Sequence, residues 1–160
     1  MAFFAIELST RKVEILGIRP QPNGPWMEQI ARNVSGEGGF LAGKKYLIHD
    51  RDPLYAAEFA SILKAAGMEP VTLPPHSPNL NPHAERFVRS IKEECLGHLI
   101  LSSEDQLRYV LSEYLQYYHH ERIHQGLGRI IEPQHEGNHG EIFCIEHLGG
   151  LLKSYHRKAA

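Results

Sequence analysis

Apolar residues fall into short runs broken by polar or Gly/Pro punctuation. Residues 2–8 form one such run and 13–18 another, with polar residues 9–12 between them. Runs of this length flanked by turn residues predict two strands joined as a hairpin. Residues 20–24 then break the chain. Asn23 can cap a helix that Pro25 suits in its first turn, with Trp26, Met27, Ile30, Ala31 and Val34 at helical spacing. A strand over 45–49 precedes a helix over 56–66, stopped by Gly67, and a further strand over 69–73. That strand–helix–strand unit predicts a parallel crossover. A proline-spaced loop, 74–82, leads into a helix from about 84 to 98, with Glu85 as its second residue. A second helix follows over 104–121, with Ser103 and Gln106 spaced as a capping box. Residues after Gly126 are less patterned, apart from an apolar patch at 148–152. The whole predicts an α/β chain, a mixed sheet carrying helices.

A length of 160 residues suits one domain with a real core. No apolar run reaches the length of a membrane span, and the apolar start is too short and lacks the basic flank of a signal peptide. Cys95 and Cys144 lack CxxC spacing, which argues against zinc or a disulfide framework and fits a reducing cytoplasm. The net charge of −2 means that nucleic-acid binding would need a local basic patch. His119, His120 and His124 suggest a metal cluster less readily than a solvated helix end.

Two acids stand out by position. Asp50 follows a strand end, where sites collect in open α/β sheets. Glu85 lies beside the apolar stripe Ala84, Phe87, Val88, Ile91 and Cys95, and Arg89 and Lys92 continue its row at i+4 and i+7. Carboxylate oxygens suit a divalent ion, and the two cations suit a phosphate backbone. Each residue alone has an ordinary explanation: an acid after a strand, a glutamate favoured by the helix dipole, or cations paired on a wet face.

Together, "LIHDRDPLYAAEF", "PPHSPNLNPHAERFVRSIKEECL" and "YYHHERIHQGL" appear in that order. This resembles the integrase core of DDE transposases, the ribonuclease-H-like superfamily shared with retroviral integrases, over about residues 3–127. The resemblance implies a ribonuclease-H-like mixed sheet with flanking helices. It implies metal-ligating, catalytic roles for Asp50 and Glu85, a DNA-contacting place for Asn81 beside Arg89 and Lys92, and the family's Tyr-x-x-x-Arg-x-His pattern at Tyr118, Arg122 and His124. Mg²⁺ (or Mn²⁺) is the implied cofactor. The implied partners are DNA and a second copy or a full-length transposase, in a bacterial cytoplasm. Residues 1–127 would be the core and 128–160 an extension, whose ending resembles that of one bacterial branch of the family.

The family's first catalytic Asp belongs to a central strand that the pattern places before residue 1. The expectation is therefore a fold lacking its first central strand and a catalytically impaired site, with Glu7 and Asp52 as the nearest acids that could stand in. Two-metal phosphoryl transfer holds its ions about 4 Å apart, and two carboxylates hold such a pair poorly. The alternative is a non-catalytic remnant that binds DNA or a full-length partner.

Overall fold

A computed structural model describes residues 1–75, 80–134 and 137–158. Residues 76–79 of the proline-spaced loop and the last two residues of the ending lie outside the described residues. The chain divides into two compact units, Met1–Ala5 with Glu14–Pro82, and Ile6–Val13 with His83–Ala160.

The first hairpin is β1 (Ala2–Ile6) and β2 (Val13–Ile18). Met1 and Arg19 exchange main-chain hydrogen bonds of 2.8 and 2.9 Å at its open end. Helix α1 (Gly24–Ser35) starts where Asn23 Oδ1 accepts from the Trp26 N–H at 3.1 Å. Asn23→Ala removes that cap, and urea unfolding is expected to register a loss of about 1 kcal/mol. A cost indistinguishable from zero would mean that packing alone sets this end.

Strand β3 (Tyr46–His49), helix α2 (Ala57–Ala65) and strand β4 (Glu69–Thr72) form the expected unit. β3 and β4 are parallel, in the register Tyr46↔Glu69 to His49↔Thr72. Gly67, at φ +81°, makes the left-handed turn out of α2 that a side chain would strain. Phe3, Ala5, Met27, Ile30, Ala31, Val34, Phe59 and Leu63 close the core of this unit, with Trp26 and Tyr55 packed on it.

In the second unit, α3 spans Pro82–Glu94 and α4 spans Glu104–His120. α3 starts two residues earlier than the pattern predicts, because Pro82 fits a first helical position. Glu85 is therefore its fourth residue. The helix also ends earlier, and a 3₁₀ turn, Leu96–His98, follows. At α4 the capping box is shifted. Ser103 Oγ accepts from the Gln106 N–H, while Gln106 Oε1 accepts from Ser102 rather than Ser103.

The larger difference is the tail. Residues read as unpatterned form the antiparallel strands β5 (Gly137–His147) and β6 (Leu152–Arg157). The apolar patch at 148–152 covers the turn between them, where Leu148, Gly149 and Gly150 all have positive φ. His147 fixes this hairpin to α4. Its Nδ1 lies 3.0 Å from Glu113 Oε2, and its Nε2 lies 2.7 Å from Glu121 Oε1. The described strands thus form three two-stranded sheets. Among the described residues this is a mixed α/β fold with small sheets and four helices.

Candidate nucleic-acid and metal site

In the first unit, Asp50 follows β3 and is exposed. The buried His49 steadies it from behind. His49 Nδ1 donates to the Asp50 carbonyl at 2.7 Å, which leaves Nε2 as the acceptor facing Thr72 Oγ1 at 3.4 Å. The Asp52 N–H donates to Asp50 Oδ1 at 3.2 Å, and Asp52 Oδ1 accepts from the Leu54 N–H at 2.9 Å. Asp50 and Asp52 therefore each give one carboxylate oxygen to the local turn, as Asx turns do. Tyr55 packs against the His49 ring, with centroids 4.6 Å apart. Burial, with Asp50 and Asp52 adding repulsion, pushes its phenol up to about 12.

In the second unit, α3 buries Phe87 and Ile91 and exposes Glu85, Arg89 and Lys92. Neither Arg89 nor Lys92 enters an ion pair among the described residues. Asn81, half-buried, immediately precedes the helix. Glu7 belongs to the first hairpin's turn, where its Oε2 accepts from Thr10 Oγ1 at 2.7 Å.

The Tyr118, Arg122 and His124 pattern forms one connected cluster. Arg122 grips Glu94 on α3 through Nε at 2.9 Å and Nη2 at 2.6 Å, and Tyr114 Oη donates to the same carboxylate at 3.0 Å. The guanidinium also lies over the Tyr118 ring. His124 Nε2 donates to the Tyr118 carbonyl at 2.7 Å. Glu94 escaped the sequence reading, although it falls at i+7 from Phe87 and i+3 from Ile91. An acid on a buried stripe requires a buried cation.

The three histidines do not share a centre. His119 Nε2 accepts from the Val13 N–H at 3.0 Å, and His120 Nδ1 donates to the Glu132 carbonyl at 2.9 Å. His119 and His124 are buried, so this helix end is not simply solvated. Among the described residues no group of three or more His, Cys, Asp or Glu side chains is placed to hold a metal ion. Asp50, with one oxygen engaged, and Glu85 each present an exposed carboxylate, the hard donor type that divalent ions take.

Residues 66–131 match the family model described as Integrase core domain. That span contains Asn81, Glu85, Arg89, Lys92, Tyr118, Arg122 and His124, and lies downstream of Asp50. No curated protein matches the chain. The catalytic core domain of BIV integrase superposes with a TM-score of 0.60 at 19% identity, covering 81% of each chain. The simian T-cell lymphotropic virus intasome, in complex with PP2A regulatory subunit B56 gamma, gives 0.61 at 13% identity, covering 95% of this chain and 58% of that one. At such identities the likeness is one of fold. No helix among the described residues is long and apolar enough to cross a membrane. Residues 66–131 are thus similar to the integrase core domain family, on a chain folded like the catalytic core of BIV integrase.

Proposed function

We propose that this chain acts on DNA as the core of a bacterial transposase or integrase, with Asp50 and Glu85 as ligands for Mg²⁺ (or Mn²⁺). The observation that carries this reading is the exposed row Glu85, Arg89 and Lys92 on α3, inside the matched segment and without competing ion pairs among the described residues. A divalent ion there would supply charge stabilisation for cleavage and joining at a backbone phosphate. Arg89 and Lys92 would hold the neighbouring phosphates, and Asn81 would contact DNA at the entry to the helix. Residues 1–127 would form the core and 128–160 an extension. A second copy or a full-length transposase would be the protein partner.

A second reading, a DNA-binding or partner-binding chain without strand-joining activity, is favoured by the lack of a three-ligand group among the described residues. A nicking and strand-transfer assay in Mg²⁺ or Mn²⁺ separates the two. Under the impaired-site reading the 160-residue chain binds DNA and joins no strands. Metal-dependent activity abolished by Glu85→Gln would instead show a complete site.

DNA binding itself is expected to be weak and salt-sensitive. Replacing Arg89 and Lys92 together by alanine should reduce the slope of log K against log salt by about two units, roughly one per lost phosphate contact. An unchanged slope would make the row an ordinary solvated face.

A further inference from the structure

Two hydrogen bonds fasten the neighbours of Asp50 to a single residue beyond β4. The Leu73 N–H donates to the His49 carbonyl at 2.9 Å, which carries the β3–β4 pairing one step past the end of β4. Arg51 Nε donates to the Leu73 carbonyl at 2.9 Å. Leu73 thus holds position 49 through the main chain and position 51 through a side chain, and Asp50 is the residue between them.

The far side of the turn is closed by its own residues. The Asp52 N–H donates to Asp50 Oδ1 at 3.2 Å, the Leu54 N–H to Asp52 Oδ1 at 2.9 Å, and the Tyr55 N–H to the Asp52 carbonyl at 3.0 Å. Tyr55 roots that end in the core, edge-on to Phe59 with ring centroids 5.3 Å apart. Asp50 Oδ1 is therefore turned back on the main chain, while the residue stays exposed. A carboxylate with one oxygen pinned has less rotamer freedom to lose when the other meets an ion.

Charge alone does not account for an arginine at position 51. A cation beside a carboxylate that takes a divalent ion opposes the ion by Coulomb repulsion. The Arg51 guanidinium enters no ion pair among the described residues. Its bond to Leu73 is the one contact that ties the turn's own side chains to the neighbouring strand end.

We infer that Arg51 is a positioning residue for the Asp50 carboxylate. By clasping the Leu73 carbonyl it holds the turn in the form that pins Oδ1 and leaves Oδ2 to a divalent ion. The inference rests on the reading of Asp50 as a metal ligand. It makes Arg51 a contributor to metal affinity in spite of its charge.

The test follows Mn²⁺ binding to the whole chain by NMR, through broadening of the Asp52 and Leu54 amide signals. Hydrogen exchange of the same amides is read in metal-free buffer. Arg51→Met keeps the length of the side chain and removes its donors and its charge. Arg51 is exposed, and thermal melting checks that the fold persists. Asp50→Asn is the control, since asparagine keeps an oxygen for the Asp52 N–H. The expected result is faster exchange of both amides in Arg51→Met and Mn²⁺ affinity about tenfold weaker, the low end for groups that orient a metal ligand. Asp50→Asn should abolish the broadening. An Arg51→Met protein that binds Mn²⁺ as tightly as the parent, or more tightly, overturns the positioning role, because loss of the positive charge by itself favours a cation. Unchanged amide exchange overturns it too, because the turn then does not depend on the clasp. Broadening that is absent in the parent, or that survives Asp50→Asn, overturns Asp50 as a ligand and the role of Arg51 with it, a failure visible without the Arg51 variant.

Discussion

Arg122→Ala is expected to cost about 2–3 kcal/mol and to lower the melting temperature by roughly 5–10 °C. The size follows from what the truncation leaves behind. Glu94 accepts three bonds from Arg122, with Nε shared between its two oxygens, and one from Tyr114, and Arg122 and Glu94 are only 24% and 30% exposed. Removing the cation strands a carboxylate in a partly dry place, and the penalty for an unpaired buried charge exceeds the net worth of the pair. The pair also joins α3 to the residues after α4, so its loss loosens the helix that presents Glu85, Arg89 and Lys92. The double variant Glu94→Gln with Arg122→Met removes both charges and keeps an acceptor for Tyr114, and should be less destabilised than the single change. Chemical denaturation of all three proteins decides the matter. An Arg122→Ala protein within about 0.5 kcal/mol of the parent would make the pair a surface contact of the usual small value.

Much of this architecture was readable from local chemistry. Asn23 caps α1 through the bond its side chain predicts, Gly67 turns the chain out of α2, and the run–helix–run pattern over 45–73 became a parallel pair. Local signals sufficed because each such element is decided within a few residues. The C-terminal hairpin was not readable in the same way. Ile142, Phe143, Cys144 and Ile145 put apolar groups on both faces of β5, so the strand lacks the clean alternation of a half-buried one. The Gly149–Gly150 pair was the available turn signal, masked by the leucines around it. In the candidate site, the exposure of Glu85, Arg89 and Lys92 follows from local chemistry, because the polar face of an amphipathic helix is set by its own stripe. The use of Asp52 as a turn cap and of Glu94 as the partner of Arg122 depended on tertiary contacts that spacing alone does not fix.

Those contacts also set how the fold responds to acid. His147 lies between Glu113 and Glu121. Burial pulls its pKa down, but the two carboxylates outweigh burial and the net shift is upward. Its contribution is therefore present below the unfolded value of about 6.5 and is lost as pH rises through the raised folded value. His119 works in the opposite direction, and its shift is larger.

The fold should lose stability steeply between pH 6.5 and 4 because of His119. Its Nε2 accepts from the Val13 N–H, and a protonated nitrogen cannot accept. Burial, with His120, Lys12 and His124 adding positive charge against the opposing pull of Glu132, lowers its pKa to about 4. The unfolded chain binds this proton from about pH 6.5 downward, and the folded chain resists it until about pH 4. Stability from the neutral ring is thus complete above pH 6.5 and declines as pH falls towards the folded value. By pH 4.5 the difference in proton uptake amounts to about 2.5 kcal/mol. His119→Gln places an amide oxygen within reach of the same N–H and does not titrate. Urea unfolding of parent and variant at pH 7 and pH 4.5 isolates the term, since the carboxylates common to both cancel in the comparison. The parent should lose about 2.5 kcal/mol more than the variant over that interval. Equal losses would show that His119 is already protonated in the folded protein at mild pH, and that the bond to Val13 does not hold the hairpin turn in place.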